Sequence, residues 1–199
     1  GTGSLRDRRT ITVNGTDGAT RDIQADAIVV ATGSSWPNLP QFPIDGQQLL
    51  TSQQLLDLDR IPASLLIVGA GVEGCEFAAL YSGLGTKVTI VELLARVLPL
   101  EDEDVSSMME RELKKRGVTV LTGTTVERLE RAQATMTTHL KDGTHVVAEK
   151  LLVSVGRGMN SRGIGLEQVG VQTGRRGEIL VNERMETTVP GIYAIGDVV

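Results

Sequence analysis

A doubly wound α/β fold is what this sequence of 199 residues predicts, and three observations carry it. Short apolar runs recur at Leu65–Val68, Lys87–Glu92 and Val118–Leu121, each of a length suited to a buried parallel strand. Helical stretches over about 71–84 and about 101–116 fill the two intervals between them. A glycine-rich turn, Gly69-Ala70-Gly71-Val72-Glu73-Gly74, stands where the first run meets the first helix. Strand–helix–strand–helix–strand in about 60 residues is half of such a fold.

The elements follow in chain order. Thr10–Asn14 and Ile23–Thr32 read as strands, the second holding the apolar run Ala27–Ala31 and followed by Gly33. Ser35–Gly46 carries Pro37, Pro40 and Pro43 and has linker composition. Thr51 or Ser52 can cap a short helix through Leu55 and Leu56. Leu65–Val68 leads into a helix from Gly71 to about Leu84, which Gly85 closes. Glu101–Asp104 opens the next helix, ending near Arg116 before Gly117; carboxylates there complement the positive end of the helix dipole, so this cluster reads as capping rather than catalysis. Asp142-Gly143 reads as a two-residue hairpin turn between Thr135–Lys141 and Thr144–Glu149. That register sets Lys141 opposite Thr144, Leu140 opposite His145 and His139 opposite Val146. Leu151–Val155 is a further apolar strand ending at Gly156, and the tail offers Ile179–Asn182 and Ile192–Ile195.

Composition excludes several function classes. The formal net charge of −5 gives no electrostatic footprint for nucleic acid or an anionic membrane, and one Trp, two Tyr and two Phe are too few for a base-stacking surface. No apolar run approaches the ~18 residues of a membrane span. Neither nucleic acid nor membrane is therefore an expected partner. The lone cysteine, Cys75, has no internal disulfide partner and cannot supply a cluster of thiolates, which suits a cytoplasmic protein. Cys75 reads as a packing residue, with a reactive thiol as the alternative because it lies near a helix N-terminus. In the expected hairpin register His139 and His145 project from opposite faces, so they are read as surface residues and no metal site is expected.

The glycine turn carries the chemistry. Gly69 permits the tight turn, Gly71 lets a pyrophosphate approach the backbone, and Gly74 lets the helix pack closely on the strand. The helix amides then point at the phosphates. The bland alternative is a glycine-rich turn with no ligand. Glu92 follows Gly74 by 18 residues, at the carboxyl end of the second strand, where its carboxylate can accept hydrogen bonds from a ribose. A 2′-phosphate would be repelled, since two charges ~4 Å apart cost ~1 kcal/mol in water and ~4 at a protein-like dielectric. NAD is thus expected rather than NADP, with nearby Arg96 read as a solvated surface residue.

Four motifs in this order and spacing carry a resemblance: Ala31-Thr32-Gly33-Ser34, Gly69–Glu76 with Val88–Glu92, Val155-Gly156-Arg157, and Ala194-Ile195-Gly196-Asp197. With them the chain resembles the pyridine nucleotide–disulfide oxidoreductases, most closely the dihydrolipoamide dehydrogenases, over nearly its whole length. The resemblance implies a Rossmann-like NAD domain with a β-hairpin or meander layer, about 41–161, inserted in an incomplete FAD-binding domain made of 1–40 and 162–199. It implies that Gly69, Gly71 and Gly74 hold the pyrophosphate and Glu92 the ribose. It also implies Glu76 near the nicotinamide, Gly156 along the cofactor groove, backbone around Val126 facing the adenine, and Asp197 at FAD. The implied activity passes electrons from a dithiol substrate through a protein disulfide and FAD to NAD⁺, in a homodimeric flavoprotein. The family's amino-terminal FAD glycine motif, its redox disulfide helix and its dimer domain are not in these residues, so the chain by itself is expected to be inactive. Two departures stand out: Glu73 where an aliphatic residue is usual, and Gly158-Met159 after Gly156-Arg157. A related flavoprotein without the redox disulfide, of NADH oxidase or ferredoxin reductase type, and a nucleotide-binding module without catalysis are the alternative readings.

Overall fold

The computed structural model describes residues 1–199, which form two compact units: 1–37 with 157–199, and 38–156. The first begins as an antiparallel meander of β1 (Thr2–Asp7), β2 (Thr10–Asn14) and β3 (Thr20–Gln24). The single strand expected over Ile23–Thr32 is broken, because its two halves serve different sheets. β3 pairs antiparallel with β2, and the Ala25 N–H donates to Arg9 O at 2.9 Å. The second half, β4 (Ile28–Val30), runs parallel to a strand near the carboxyl terminus. β5 (Ser34–Ser35) follows.

The second unit holds β6 (Leu49–Leu50), α1 (Ser52–Leu56), β7 (Ser64–Val68), α2 (Val72–Gly83), β8 (Lys87–Val91), α3 (Glu103–Lys115) and β9 (Thr119–Leu121). It continues with β10 (Val126–Arg131), β11 (Met136–Leu140), β12 (His145–Ala148) and β13 (Lys150–Val153). Five strands form one parallel sheet in the order β6-β13-β7-β8-β9. Thr51 caps α1 through a capping box with Gln54. At α3 the N-cap is Asp102, whose side chain makes no capping bond, so the acidic cluster acts through the dipole: Glu103 and Asp104 in the first turn, Lys114 and Lys115 in the last.

Both faces of this sheet are covered, which is why its strands read as unbroken apolar runs. Alternate residues of β7 serve different cores. Leu65 and Ile67 join Phe77, Tyr81 and Leu113 on the helical side, while Leu66 and Val68 pack with Met136, Leu140 and Phe42 on the side of β10–β12. Burying each such side chain contributes about 1.5–3 kcal/mol.

The β10-β11-β12 meander departs from expectation twice. β10 is unmarked in the sequence because a register shift between Val126 and Arg128 breaks its alternation. The hairpin after β11 has a three-residue loop, Lys141-Asp142-Gly143. The Leu140 N–H donates to Thr144 O at 2.8 Å, the Gly143 N–H donates to Leu140 O at 3.0 Å, and Gly143 takes φ +85°. The register therefore sets His139 opposite His145 and Thr138 opposite Val146. The two imidazoles share a face, with ring centroids 6.3 Å apart, so the opposite-face expectation is corrected. His139 Nδ1 lies 3.3 Å from Arg128 Nη2, and its Nε2 lies 3.2 Å from Glu130 Oε2.

The chain then returns to the first unit with β14 (Gly158–Met159), antiparallel to β5, then α4 (Leu166–Val169) and β15 (Ile192–Ala194), parallel to β4. Ile179–Asn182 forms isolated bridges instead of a strand. Its amides go to scattered partners: Ile179 to Val198 O, Leu180 to Gln172 O and Asn182 to Glu186 O. No helix is long and apolar enough to cross a membrane.

Candidate dinucleotide-binding groove

Parallel pairing brings the carboxyl ends of three neighbouring strands into one row. The Gly69 N–H donates to Val91 O, the Ser154 N–H to Val68 O and the Glu92 N–H to Leu121 O, each at 2.8 Å. Ser154, Gly69 and Glu92 thus stand side by side at the ends of β13, β7 and β8. From β7 the chain winds one way through α2 to β8 and α3 to β9, while β13 lies on the other side. Such a reversal of winding leaves a crevice at the strand ends, where open α/β sheets bind ligands.

The three glycines of the turn differ in why they are glycine. Gly69 has φ +103°, and a Cβ there would lie 2.0 Å from Ser154 O. A Cβ on Gly74 would lie 2.0 Å from Gly69 O, which is the close helix–strand approach the sequence predicts. Gly71 has an ordinary φ of −70°, and a Cβ there would meet nothing within 4 Å. The fold dictates two of the glycines and is indifferent to the third. Gly71 is the N-cap of α2, its carbonyl accepts from the Cys75 N–H at 3.0 Å, and the amides before Cys75 head the helix without intrahelical acceptors.

Glu92 is 9% exposed and clamps the turn. Its Oε2 accepts from the Ala70 N–H and its Oε1 from the Leu94 N–H, both at 2.8 Å. Each oxygen keeps a lone pair for a further donor. The residue expected as a sugar latch is thus also a structural clasp. Leu98, at a left-handed φ of +45°, donates its N–H to Ala70 O at 2.7 Å and closes the loop from the other side.

These groups line a groove of about 480 Å³, with Gly69 and Gly71 in its wall, Glu92, Thr124 and Thr125 on the β8 side, and Ser154 and Gly156 on the β13 side. That volume lies in the range of small-molecule and cofactor sites, about 300–1,000 Å³. Of the other residues singled out, Gly156 takes φ +98° in the lining, and Glu76 is exposed on α2. Val126 packs against the β10–β12 core, leaving its neighbours Thr124 and Thr125 to face the groove. Asp197 lies in the first unit, where it accepts from Ser34 Oγ at 2.9 Å; Arg157 donates to the same Oγ at 2.6 Å and stacks 4.4 Å over Trp36. Arg96 donates to Glu101 O and Pro99 O, so its guanidinium is committed to its own loop. Cys75 is 1% exposed, and burial pushes its thiol up to about 11, which fits a packing residue and opposes a reactive one. A larger depression of about 590 Å³ lies in the first unit beside Gly165, whose Cβ would sit 2.2 Å from Leu5 O; that glycine is demanded by packing.

Ser154, Thr124 and Thr125 escape the sequence reading. For Ser154 a signal exists: it is the one polar residue in the apolar run Leu151–Val155, and it falls just after β13 ends. Glu73 is half-buried in the first turn of α2, and its Oε2 accepts a hydrogen bond from Ser154 Oγ at 2.8 Å.

A dihydrolipoyl dehydrogenase of Bacillus subtilis is 40% identical over 203 residues, covering 100% of this chain and 43% of that protein. An NAD(P)H dehydrogenase (quinone) of Mycobacterium tuberculosis is 38% identical over 190 residues, covering 96% of this chain and 38% of that one. The crystal structure of LpdA from Mycobacterium tuberculosis superposes with a TM-score of 0.88 at 37% identity, over 100% of this chain and 44% of that one. The flavoprotein disulfide reductase RclA of Escherichia coli superposes with a TM-score of 0.86 at 29% identity. The chain spans less than half the length of these relatives. Across residues 1–199 it also matches the family model described as pyridine nucleotide-disulphide oxidoreductase, a family whose cofactors are FAD and NAD(H). By sequence and fold, the chain belongs to the pyridine nucleotide-disulphide oxidoreductase family.

Proposed function

We propose that the groove in the unit 38–156 binds NAD(H), and that the chain belongs to a dihydrolipoamide dehydrogenase-like flavoenzyme passing electrons from a dithiol through a protein disulfide and FAD to NAD⁺. One observation carries the binding reading: Gly71 is a glycine that neither φ nor packing requires, set where the amides of α2 lack acceptors. A diphosphate there receives those N–H groups and the positive end of the helix dipole. Gly69 and Gly74 hold the turn in shape, and Glu92 accepts from the ribose. The same carboxylate disfavours a 2′-phosphate. Glu76 is assigned to the nicotinamide end and Gly156 to the groove wall, with the backbone near Val126 toward the adenine. Asp197, in the first unit, is assigned to FAD, with 1–40 and 162–199 as parts of the FAD-binding domain and 41–161 as the NAD-binding domain. When bound, the two cofactors supply the redox chemistry, and the residues here bind and orient them. A second reading, electron transfer to a quinone, is favoured only by the 38% identical quinone-directed relative.

Titration of NADH into the 199-residue chain, with a diaphorase assay in the presence of added FAD, tests the proposal. Binding without turnover is expected, because hydride transfer needs FAD held opposite the nicotinamide and the family's FAD glycine motif is not among these 199 residues. Failure to bind NADH overturns the groove reading. Appreciable turnover overturns the expectation that other parts of an intact enzyme are needed.

A further inference from the structure

The row of strand ends sets the direction of the dinucleotide, and that direction gives Glu73 a role. If Glu92 at the end of β8 takes one ribose and Gly71 the diphosphate, the second nucleoside lies across β7, toward Ser154 and Gly156 at the end of β13. Neighbouring strands are about 4.8 Å apart, so the two flanking ends are separated by roughly 10 Å, a span that a diphosphate with its two riboses can bridge. At that far side, besides the exposed Glu76 assigned above to the nicotinamide end, stands a half-buried acidic group, Glu73. Ser154, 7% exposed, donates from Oγ to Glu73 Oε2 at 2.8 Å. No cation pairs with Glu73, and its partner hydroxyl is neutral, so the bond fixes the carboxylate at the strand end without offsetting its charge.

Resting on the NAD(H) reading above, we propose that Glu73, positioned by Ser154, makes this groove favour the oxidised coenzyme over the reduced one. The two forms differ in charge only at the nicotinamide, which is cationic in NAD⁺ and neutral in NADH. A fixed negative charge beside that ring attracts one and is indifferent to the other. Were the carboxylate directed at the diphosphate instead, it would weaken both forms equally. The preference assists a protein that must take up NAD⁺ and let NADH go.

The test is calorimetric titration of the 199-residue chain with NAD⁺, NADH and ADP-ribose, for the unchanged sequence and for Glu73→Gln, which keeps the size and the Ser154 contact. For unit charges roughly 6–8 Å apart at a partly screened edge, the ratio of NAD⁺ to NADH affinity is expected to fall about three- to tenfold. ADP-ribose, which has no nicotinamide, is expected to bind both proteins alike. Ser154→Ala, which keeps the charge but releases it from the strand end, is expected to lose part of the preference. An unchanged ratio in Glu73→Gln, or equal tightening of all three ligands, overturns the proposal. If ADP-ribose fails to bind the unchanged chain, the groove reading itself falls, and this inference with it.

Discussion

Helix α2 carries an uncrowded glycine at each end, and the two mean different things. A Cβ on Gly83 would meet nothing within 4 Å, as at Gly71. Gly83, however, is exposed on the last turn, beside α2's carbonyl end. Gly71 caps the amide end, lines a groove and has a buried carboxylate one strand over. Open space alone therefore identifies nothing. Open space before unpaired donors is what the proposed diphosphate site requires, and the same space on a solvated helix face is a place where alanine would serve better.

The largest effect expected lies between them. Gly74→Ala puts a methyl 2.0 Å from Gly69 O, a backbone atom with no room to move, so a loss of roughly 3 kcal/mol or more, or failure to fold, is expected by calorimetry. An unchanged melting temperature would contradict the close helix–strand approach. Gly71→Val separates fold from function. The φ of −70° suits valine, so stability should stay within about 1 kcal/mol, the cost of a poorer N-cap, while NADH affinity falls roughly 100-fold or more. Normal NADH binding in Gly71→Val would mean that the diphosphate lies elsewhere.

The ends of α2 also show what a sequence can and cannot disclose. The β7-α2-β8 unit is legible because both sheet faces are buried, which turns each strand into an apolar run, and because the turn must use glycine at Gly69 and Gly74. Glu92 is legible by spacing as an acid at a strand end. Its second task, accepting the Ala70 and Leu94 amides, depends on how the loop after β8 folds back. Ser154 and Glu73 meet from elements 81 residues apart, and no local pattern announces such a pair. The meander is misread for a related reason. Asp142-Gly143 fits two- and three-residue loops equally well, and one residue of slip moves His145 from opposite Leu140 to opposite His139. β10 disappears behind its own bulge.

Glu92 sharpens the comparison because it clasps the turn through two amides and is also the group proposed to accept from the ribose. Glu92→Ala removes the acceptor of two amides, so a stability loss of about 2 kcal/mol is expected alongside weaker NADH binding. The informative quantity is the NADH to NADPH affinity ratio, expected to narrow about tenfold, since the like-charge penalty leaves with the carboxylate. An unchanged ratio would remove Glu92 from the ribose and leave it as a clasp only. At the other end of the helix, Gly83→Ala should stabilise the chain by about 0.5–1 kcal/mol and leave NADH affinity untouched, through helix propensity alone.

The smallest effect concerns Cys75, one turn inside α2 and walled off from the groove its helix heads. Burial raises the thiol from 9.0 to about 11, the deprotonated form being the one that burial penalises. In the unfolded chain the thiol loses its proton at the lower value, so between pH 9 and about 11 the unfolded state is the one that has released it. Stability is accordingly unaffected below pH 9 and declines as pH rises through that window. Burial raises the Tyr81 hydroxyl as well, so its titration pulls in the same direction at high pH. Replacing Cys75 with Ala should remove the thiol's share of that alkaline loss, at the cost of a small cavity, and leave NADH binding at pH 8 unchanged. Iodoacetamide at pH 8 supplies the second readout. A thiol 1% exposed and protonated at that pH should stay unmodified in the folded chain and react once denaturant opens it. Rapid labelling of the folded chain would show that the first turn of α2 opens readily, and an N-terminus that opens cannot hold its amides fixed toward a diphosphate.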